Sequence, residues 1–190
     1  PTSDVTARCI GFLGKYGKQA HQNAVYRGVS FLLREQEANG AWFGRWGTNY
    51  IYGTWSVLEA MQLAKQDMKH TAVRRAVQWL KSVQREDGGW GESNDSYLDP
   101  KLAELETSTA FQTAWALLGL MAAGEVKSES VRRGINYLLS AQSSNHLWEE
   151  PWFTAPGFPR VFYLRYHGYS KFFPIWALAR YRRLTRENVA

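Results

Sequence analysis

Apolar residues recur at helical spacing in three segments of the chain that align with one another without gaps. Each segment ends on Gln and is followed by a short turn that ends on Trp; the segments span residues 25–36, 73–84 and 131–142. The repeat has a period of about 50 residues, which is typical of stacked helical hairpins. Each segment is therefore predicted to be the first helix of one hairpin.

Second helices are predicted between these segments from the same spacing of apolar residues. They cover residues 53–66, 108–124 and 171–184, and a further helix is predicted over residues 3–17. Pro174 lies inside the last of these segments, so that helix is expected to begin near it. No strand pattern of useful length is present. The chain is therefore predicted to be all-α, a partial α/α toroid.

Helical hairpins of this period close into a ring of inner and outer helices when about six are present. Three hairpins make roughly half of such a barrel. Residues 1–190 are therefore expected to be one part of a larger α/α-barrel domain, with apolar edges left bare where the missing hairpins would pack.

The turns that join the helices follow the pattern Q-x3-G-x-W. The first two copies are complete and the third has His146 in place of glycine; the matching positions are Gln36, Gly40, Trp42, Gln84, Gly88, Trp90, Gln142 and Trp148. Gly40 and Gly89 are expected to take the positive φ that ends a helix. The Gln side chain is expected to bond nearby backbone groups, with the Trp ring covering that contact. The third turn is expected to be more open or strained.

Aromatic residues are unusually frequent. The 190 residues include nine Trp, ten Tyr and nine Phe, which together make 15% of the chain. An ordinary helical core does not need so many, so a function that uses flat, polarisable surface is indicated.

Charge and cysteine content limit the alternatives. The net charge is +6, with the only dense basic group at Arg180, Arg182, Arg183 and Arg186. No nucleic-acid motif accompanies it, so a solvated basic surface is favoured over phosphate or lipid-headgroup binding. A single cysteine, Cys9, excludes an internal disulfide, and the four histidines lack metal-ligand spacing. We expect no metal, no cofactor and no nucleic-acid partner.

Two longer segments give these turns a specific context. They are WFGRWGTNYIYGT at residues 42–54 and GFPRVFYLRYHGYSKFFPIWALARY at residues 157–181. Together with the Q-x3-G-x-W turns, they resemble the C-terminal third of squalene–hopene cyclases, the triterpene cyclases with QW repeats. The resemblance implies an acid-initiated polycyclisation of squalene to hopene-type products, in which an Asp of a D-x-D-D motif protonates the substrate. None of the five Asp residues here forms that motif, so the proton donor is expected upstream.

Four aromatic residues near the C-terminus are candidate wall residues of the cavity. Phe158, Phe162, Tyr166 and Tyr169 would form one stripe if their segment were helical. The resemblance implies that the first three stabilise carbocations and that Tyr169 lines the wall, whereas spacing alone favours ordinary core packing. Tyr163 is expected to point elsewhere.

Four further candidates lie nearer the N-terminus. The resemblance implies that Trp46 contacts the substrate, that Tyr52 lies near the catalytic acid and that Asp4 supports the acid cluster. Arg8 occupies a position where some relatives carry a His bonded to that acid, and a charged Arg would depress the pKa of a neighbouring Asp. An ordinary Asp4–Arg8 pair at i,i+4 spacing is the equally favoured alternative.

Two other functions compete with the cyclase. A protein prenyltransferase β-subunit also uses α/α hairpins but needs Asp, Cys and His zinc ligands, for which Cys9 has no partner pattern. A non-catalytic scaffold that binds a lipid or a protein is the second.

The adjacent Glu149 and Glu150 are expected to lie in a solvated turn.

A polyprenoid substrate implies peripheral attachment to a membrane, expected on the cytoplasmic face of a bacterial inner membrane. The other partners expected are the rest of the same cyclase chain and, as a further option, a second copy in a homodimer.

Overall fold

A computed structural model describes residues 1–187 of the chain. Within these residues seven α-helices form, in the order α1 Ser3–Tyr16, α2 Gln22–Arg34, α3 Tyr50–Leu63, α4 Thr71–Ser82, α5 Ala110–Ala122, α6 Glu129–Ser140 and α7 Tyr169–Glu187. Four short strands are added: β1 Trp90–Glu92, β2 Glu104–Thr109, β3 Ala155–Phe158 and β4 Phe162–Leu164.

The helices lie in two layers. One layer is a row in which α1, α3, α5 and α7 pack side by side, and α2, α4 and α6 pack against this row. The second layer is amphipathic: in α4, for example, Val73, Ala76, Val77 and Leu80 are buried. Helix α5 is apolar except for Gln112 and Thr113, and every one of its residues is buried because neighbours cover both of its sides. These are the layers of an α/α toroid.

The helix bounds differ from the predicted ones in two ways. Helices α2, α4 and α6 end at Arg34, Ser82 and Ser140, so the repeated Gln lies two residues beyond each helix. Helix α7 begins at Tyr169 and not near Pro174, so the predicted start was wrong. The backbone N–H groups of Lys171 and Phe172 bond to the carbonyl of Gly168, which starts the helix before the proline is reached.

The C-terminal arginines do not form one basic surface. Arg180 is buried between α7 and α3, where its guanidinium pairs with Glu59 and donates to Gln62 Oε1 at 2.6 Å. It links two helices of the row, which the sequence interpretation of a solvated cluster missed.

In all three turns the Gln amide donates to the carbonyl at the glycine position, and in the first two it also reaches the next hairpin. The Gln36 amide donates to the carbonyls of Gly40 and Ala72, both at 2.8 Å. In the second turn the Gln84 amide donates in the same way to Gly88 and Ser130. Because Ala72 and Ser130 belong to the first turns of α4 and α6, Gln36 and Gln84 each connect one hairpin to the next.

The Trp of each turn bonds back to the preceding helix. Its indole N–H donates to a backbone carbonyl ten residues upstream, and the three pairs are Trp42 with Leu32, Trp90 with Leu80 and Trp148 with Leu138. This bond satisfies a carbonyl at the helix end that has no partner inside the helix. The predicted covering role of the ring therefore comes with a capping role that was not predicted.

The glycine of each of the first two turns lies too close to the backbone of the next helix to carry a side chain. Gly40 has φ +99° and Gly88 has φ +89°, and a Cβ at either would lie within 2.8 Å of a backbone oxygen. The positive φ expected at Gly89 was wrong, since it falls on Gly88. The third turn keeps the same backbone with His146 at φ +63°. A histidine in this region is strained, by roughly 1–2 kcal/mol relative to its ordinary conformations.

Replacing His146 by glycine should therefore stabilise the protein by about 1 kcal/mol, because glycine adopts the positive φ without strain. The increase should appear in the free energy of unfolding from urea titration. Ser144→Gly, two residues away in the same exposed turn, is the control and should give no increase. A His146→Gly protein no more stable than the original would show that the turn tolerates the histidine without cost.

Two antiparallel hairpins correct the expectation that strands would be absent. Strand β1 pairs with β2, and β3 pairs with β4. Both hairpins are short and lie in the segments between helices, so they leave no long alternating pattern in the sequence. They matter here because β3 and β4 carry candidate site residues.

Apolar side chains are exposed at both ends of the row. Helix α1 exposes Phe12 and Tyr16, and α7 exposes Phe172 and Ile175, each more than half exposed. Residues 1–187 contain no helix with the length and apolar character needed to cross a bilayer.

Candidate functional site

Phe158 and Phe162 lie on a β-hairpin, so the predicted helical stripe was wrong. They are register partners of β3 and β4, with ring centroids 5.7 Å apart. The connection is a tight turn in which the Val161 N–H bonds to the Phe158 carbonyl and Arg160 has φ +70°. Pro159 disfavours a helix at Phe158 and suits the second position of such a turn. Cross-strand pairing thus brings together the rings that were expected to meet on a helix.

Tyr166 and Tyr169 form a separate pair. Their ring centroids are 5.1 Å apart, and Tyr169 begins α7. Burial raises the pKa of Tyr169 to about 12, so it remains a neutral phenol. Both rings line a cavity of about 240 Å³ together with Phe111 and Trp152. The four residues predicted as one stripe are therefore two pairs on different elements.

A cluster of aromatic rings from the row of helices continues from Tyr169. Trp115 of α5 lies at its centre, with centroids 5.0–6.0 Å from the rings of Tyr52, Trp55, Phe111, Tyr169 and Phe173. Trp55 and Trp115 stack nearly parallel, and both indole N–H groups are buried without a hydrogen-bond partner among the described residues. The sequence interpretation missed Trp55, Phe111, Trp115 and Phe173. Their common signal is an aromatic within the first six residues of α3, α5 and α7.

Arg8 faces this cluster and does not pair with Asp4. Its guanidinium carbon lies 4.2 Å from the ring centroid of Trp55 and 5.6 Å from that of Tyr52. Within residues 1–187 no ion pair joins Asp4 and Arg8, so the i,i+4 alternative was wrong. The contact is a cation–π interaction, and it places a permanent positive charge beside Tyr52.

Asp4 is buried and holds the loop that carries Trp46. One carboxylate oxygen accepts the Trp46 backbone N–H at 2.7 Å, and the other accepts the Thr2 hydroxyl and the Val5 N–H. The Trp46 ring itself is half-exposed. Its indole is covered on one face by the Arg45 guanidinium, which also lies 5.7 Å from the Phe158 ring centroid.

Arg45 joins this loop to the β3–β4 hairpin. Its guanidinium donates to the carbonyl of Gly157 at 3.2 Å. The Trp46 loop and the hairpin that carries Phe158 and Phe162 are therefore neighbours, although more than 100 residues separate them in the sequence.

Two buried carboxyl groups were not anticipated as part of the site. Glu92, at the end of β1, is 4% exposed; burial raises the pKa of its carboxyl, and bonds from three backbone N–H groups oppose that rise. Glu150 is half-buried, and this burial raises the pKa of its carboxyl to about 7, so its placement in a solvated turn was wrong. Only its neighbour Glu149 is exposed.

Chemically, this site presents ring faces and few nucleophiles. Aromatic faces attract cations by about 2 kcal/mol or more each when water is excluded. Among the described residues, no group of three or more His, Cys, Asp or Glu side chains is placed to hold a metal ion. The arrangement suits an apolar guest on which positive charge develops.

Comparison with known proteins identifies close relatives. Residues 1–183 match the family described as the squalene–hopene cyclase C-terminal domain. A probable squalene–hopene cyclase of Sinorhizobium fredii is 59% identical over 100% of this chain and 30% of its own length. The squalene–hopene cyclase of Zymomonas mobilis is 56% identical over 99% of this chain and 29% of its own length. The chain thus spans about 30% of the length of these curated relatives.

Among solved structures, ent-copalyl diphosphate synthase from Streptomyces platensis superposes with a TM-score of 0.64 at 18% identity. The match covers 96% of this chain and 32% of that protein. At this identity the likeness concerns the fold alone, and it confirms the predicted all-α toroid class.

Proposed function

Because this chain belongs to the squalene–hopene cyclase C-terminal domain family, we propose that its protein is a class II triterpene cyclase that converts squalene to hopene-type products. The chain supplies part of the aromatic wall. The observation that carries this proposal is the aromatic cluster around Trp115, which continues through Tyr169 to Tyr166.

The wall acts on charge that migrates through the substrate. Each ring closure moves a carbocation along the chain, and a ring face at the new position lowers the energy of that cation. Phe158, Phe162 and Tyr166 are the proposed cation-stabilising rings; Trp46 and Tyr169 contact the substrate. Exclusion of water by these rings prevents early quenching.

Asp4, Arg8 and Tyr52 serve the initiating acid. The acid itself belongs to a D-x-D-D segment outside residues 1–190, which contain no such motif. Arg8 places its guanidinium beside Tyr52 and holds the pKa of the nearby acid low, while the Tyr52 hydroxyl orders the water that returns a proton. Asp4 accepts the Trp46 backbone N–H and so keeps the Trp46 loop close to Arg8 and Tyr52.

The bare apolar faces of α1 and α7 receive the remaining hairpins of the same barrel. Phe12 and Tyr16 at one end, and Phe172 and Ile175 at the other, are too exposed for surfaces that stay in water. A second copy of the chain is the competing occupant. The complete cyclase attaches peripherally to the cytoplasmic face of a bacterial inner membrane, where its lipid-soluble substrate is found.

A binding scaffold without catalytic activity is the second candidate, and it follows from the lack of a D-x-D-D acid in these residues. Incubating the complete protein with squalene and analysing the lipids by gas chromatography and mass spectrometry separates the two. We expect pentacyclic products from the complete protein, without added metal or nucleotide. Folded protein that binds squalene and leaves it linear would identify the scaffold.

A further inference from the structure

Glu92 closes the N-terminal end of α3. Its two carboxylate oxygens accept three backbone N–H groups at 3.0–3.1 Å, from Asn49, Tyr50 and Ile51. These N–H groups have no partner inside the helix, so a buried acceptor is required. The three donors lie between Trp46 and Tyr52 in the sequence. Glu92 therefore fixes the direction in which α3 leaves the Trp46 loop.

Glu92 is itself held by the centre of the fold. Its backbone N–H donates to Gln112 Oε1 at 2.9 Å, and the Gln112 amide donates back to the Glu92 carbonyl at 3.0 Å. Gln112 is fully buried on α5, three residues before Trp115. The start of α3 is thereby tied to the helix at the centre of the aromatic cluster.

The residues after Glu92 hold the other side of the same loop. The Tyr97 hydroxyl lies within hydrogen-bond distance of the carbonyls of Gly44 and Gly47, which flank Trp46. The Asn49 amide donates to Ser96 Oγ at 3.2 Å. Burial raises the pKa of Tyr97, so its hydroxyl keeps the proton that it donates. The loop is thus fixed by side chains that come from a segment about 50 residues away in sequence.

The same device occurs once more in the chain. Glu150 follows Trp148 by two residues, as Glu92 follows Trp90, and it accepts the backbone N–H groups of Ala110 and Phe111 at the start of α5. At the first turn, Gly44 occupies the corresponding place after Trp42. In the second and third turns, the carboxylate thus caps the N-terminus of the row helix that comes before that turn in the sequence: Glu92 caps α3 and Glu150 caps α5.

We propose that Glu92 is a positioning residue for the cyclisation, acting through the Trp46 loop and Tyr52, with Tyr97 as its partner. The inference rests on the proposed cyclase function. Displacing Trp46 and Tyr52 should misplace the folded substrate relative to the acid and the wall. Small displacements of this kind reduce rates strongly.

The test compares variants of the complete cyclase with squalene as substrate. Glu92→Gln keeps the size of the side chain but turns an amide donor towards backbone donors. We expect turnover per folded enzyme to fall on the order of tenfold to a hundredfold, with a larger share of incompletely cyclised products. Tyr97→Phe removes only the hydroxyl and should shift the product ratio in the same direction with a smaller loss of rate. Glu104→Gln is the matched control, since Glu104 faces Glu92 across β1 and β2 but is exposed.

Circular dichroism and the folded fraction are measured for each variant, because a purely structural role lowers the amount of folded enzyme without changing its product ratio. A wild-type product ratio in both Glu92→Gln and Tyr97→Phe would overturn the positioning role. If Glu92→Gln does not fold, the product ratio of Tyr97→Phe decides alone. Absence of cyclic product from the unmodified enzyme would instead contradict the proposed function, so the two failures are distinguishable.

Discussion

Phe162→Ala should make incompletely cyclised hydrocarbons the main products of the complete cyclase. The ring lies next to Phe158 on the β3–β4 hairpin, and its loss removes one face that would stabilise a late carbocation. A loss of about 2 kcal/mol slows the corresponding ring closure about 30-fold. Loss of a proton from the earlier cation then competes with ring closure. The product distribution is measured by gas chromatography after incubation with squalene.

The control is Phe162→Tyr, which keeps the ring and should keep the pentacyclic product. Substrate affinity should change little in Phe162→Ala, because the remaining wall still covers the chain. An unchanged product distribution in Phe162→Ala would assign this ring to ordinary packing and would remove it from the catalytic wall.

Trp90→Ala should destabilise the protein by about 3–5 kcal/mol, the range for a large aromatic removed from a core. Trp90 is fully buried, and its indole N–H satisfies the carbonyl of Leu80 at 2.8 Å. The substitution leaves both a cavity and an unpaired carbonyl at the end of α4. Urea unfolding monitored by circular dichroism measures the change.

Trp90→Phe separates the two contributions, since it fills most of the space and lacks the donor. Trp152→Ala is the control. Trp152 is 42% exposed, so its substitution should lower the free energy of unfolding by less than about 1 kcal/mol. A Trp90→Ala protein as stable as the Trp152→Ala protein would show that the turn does not hold the hairpins together.

The helices and turns were predictable because their signals are local. The 3.6-residue period and the Q-x3-G-x-W spacing lie within single segments, and the structure places helices at all of the predicted positions. The β3–β4 hairpin was missed because a four-residue spacing of aromatics fits a helix as well as a hairpin. Pro159 was the signal that separates them.

The supports of the site depend on distant contacts and could not be predicted in the same way. The Glu92 carboxylate bonds to backbone groups more than 40 positions upstream, and the Gln112 side chain on α5 accepts the Glu92 backbone N–H. Nothing adjacent to Glu92 in sequence marks it as buried. The shared W-x-E spacing at Trp90 and Trp148 was a repeat signal, although its meaning appears only once the helices are packed. Arg180 was misassigned for the same reason, since Glu59 and Gln62 are over a hundred residues away.

The third turn differs from the first two in what its glutamine reaches. Gln36 and Gln84 each bond to the following hairpin, whereas the Gln142 amide bonds, among residues 1–187, to the His146 carbonyl alone. Among residues 1–187, glutamine bonds between neighbouring hairpins are therefore found at the first two turns. In a stacked array each unit is stabilised by its immediate neighbours. Removing the Gln36 or Gln84 side chain should therefore weaken the contact between two neighbouring hairpins as well as the turn itself.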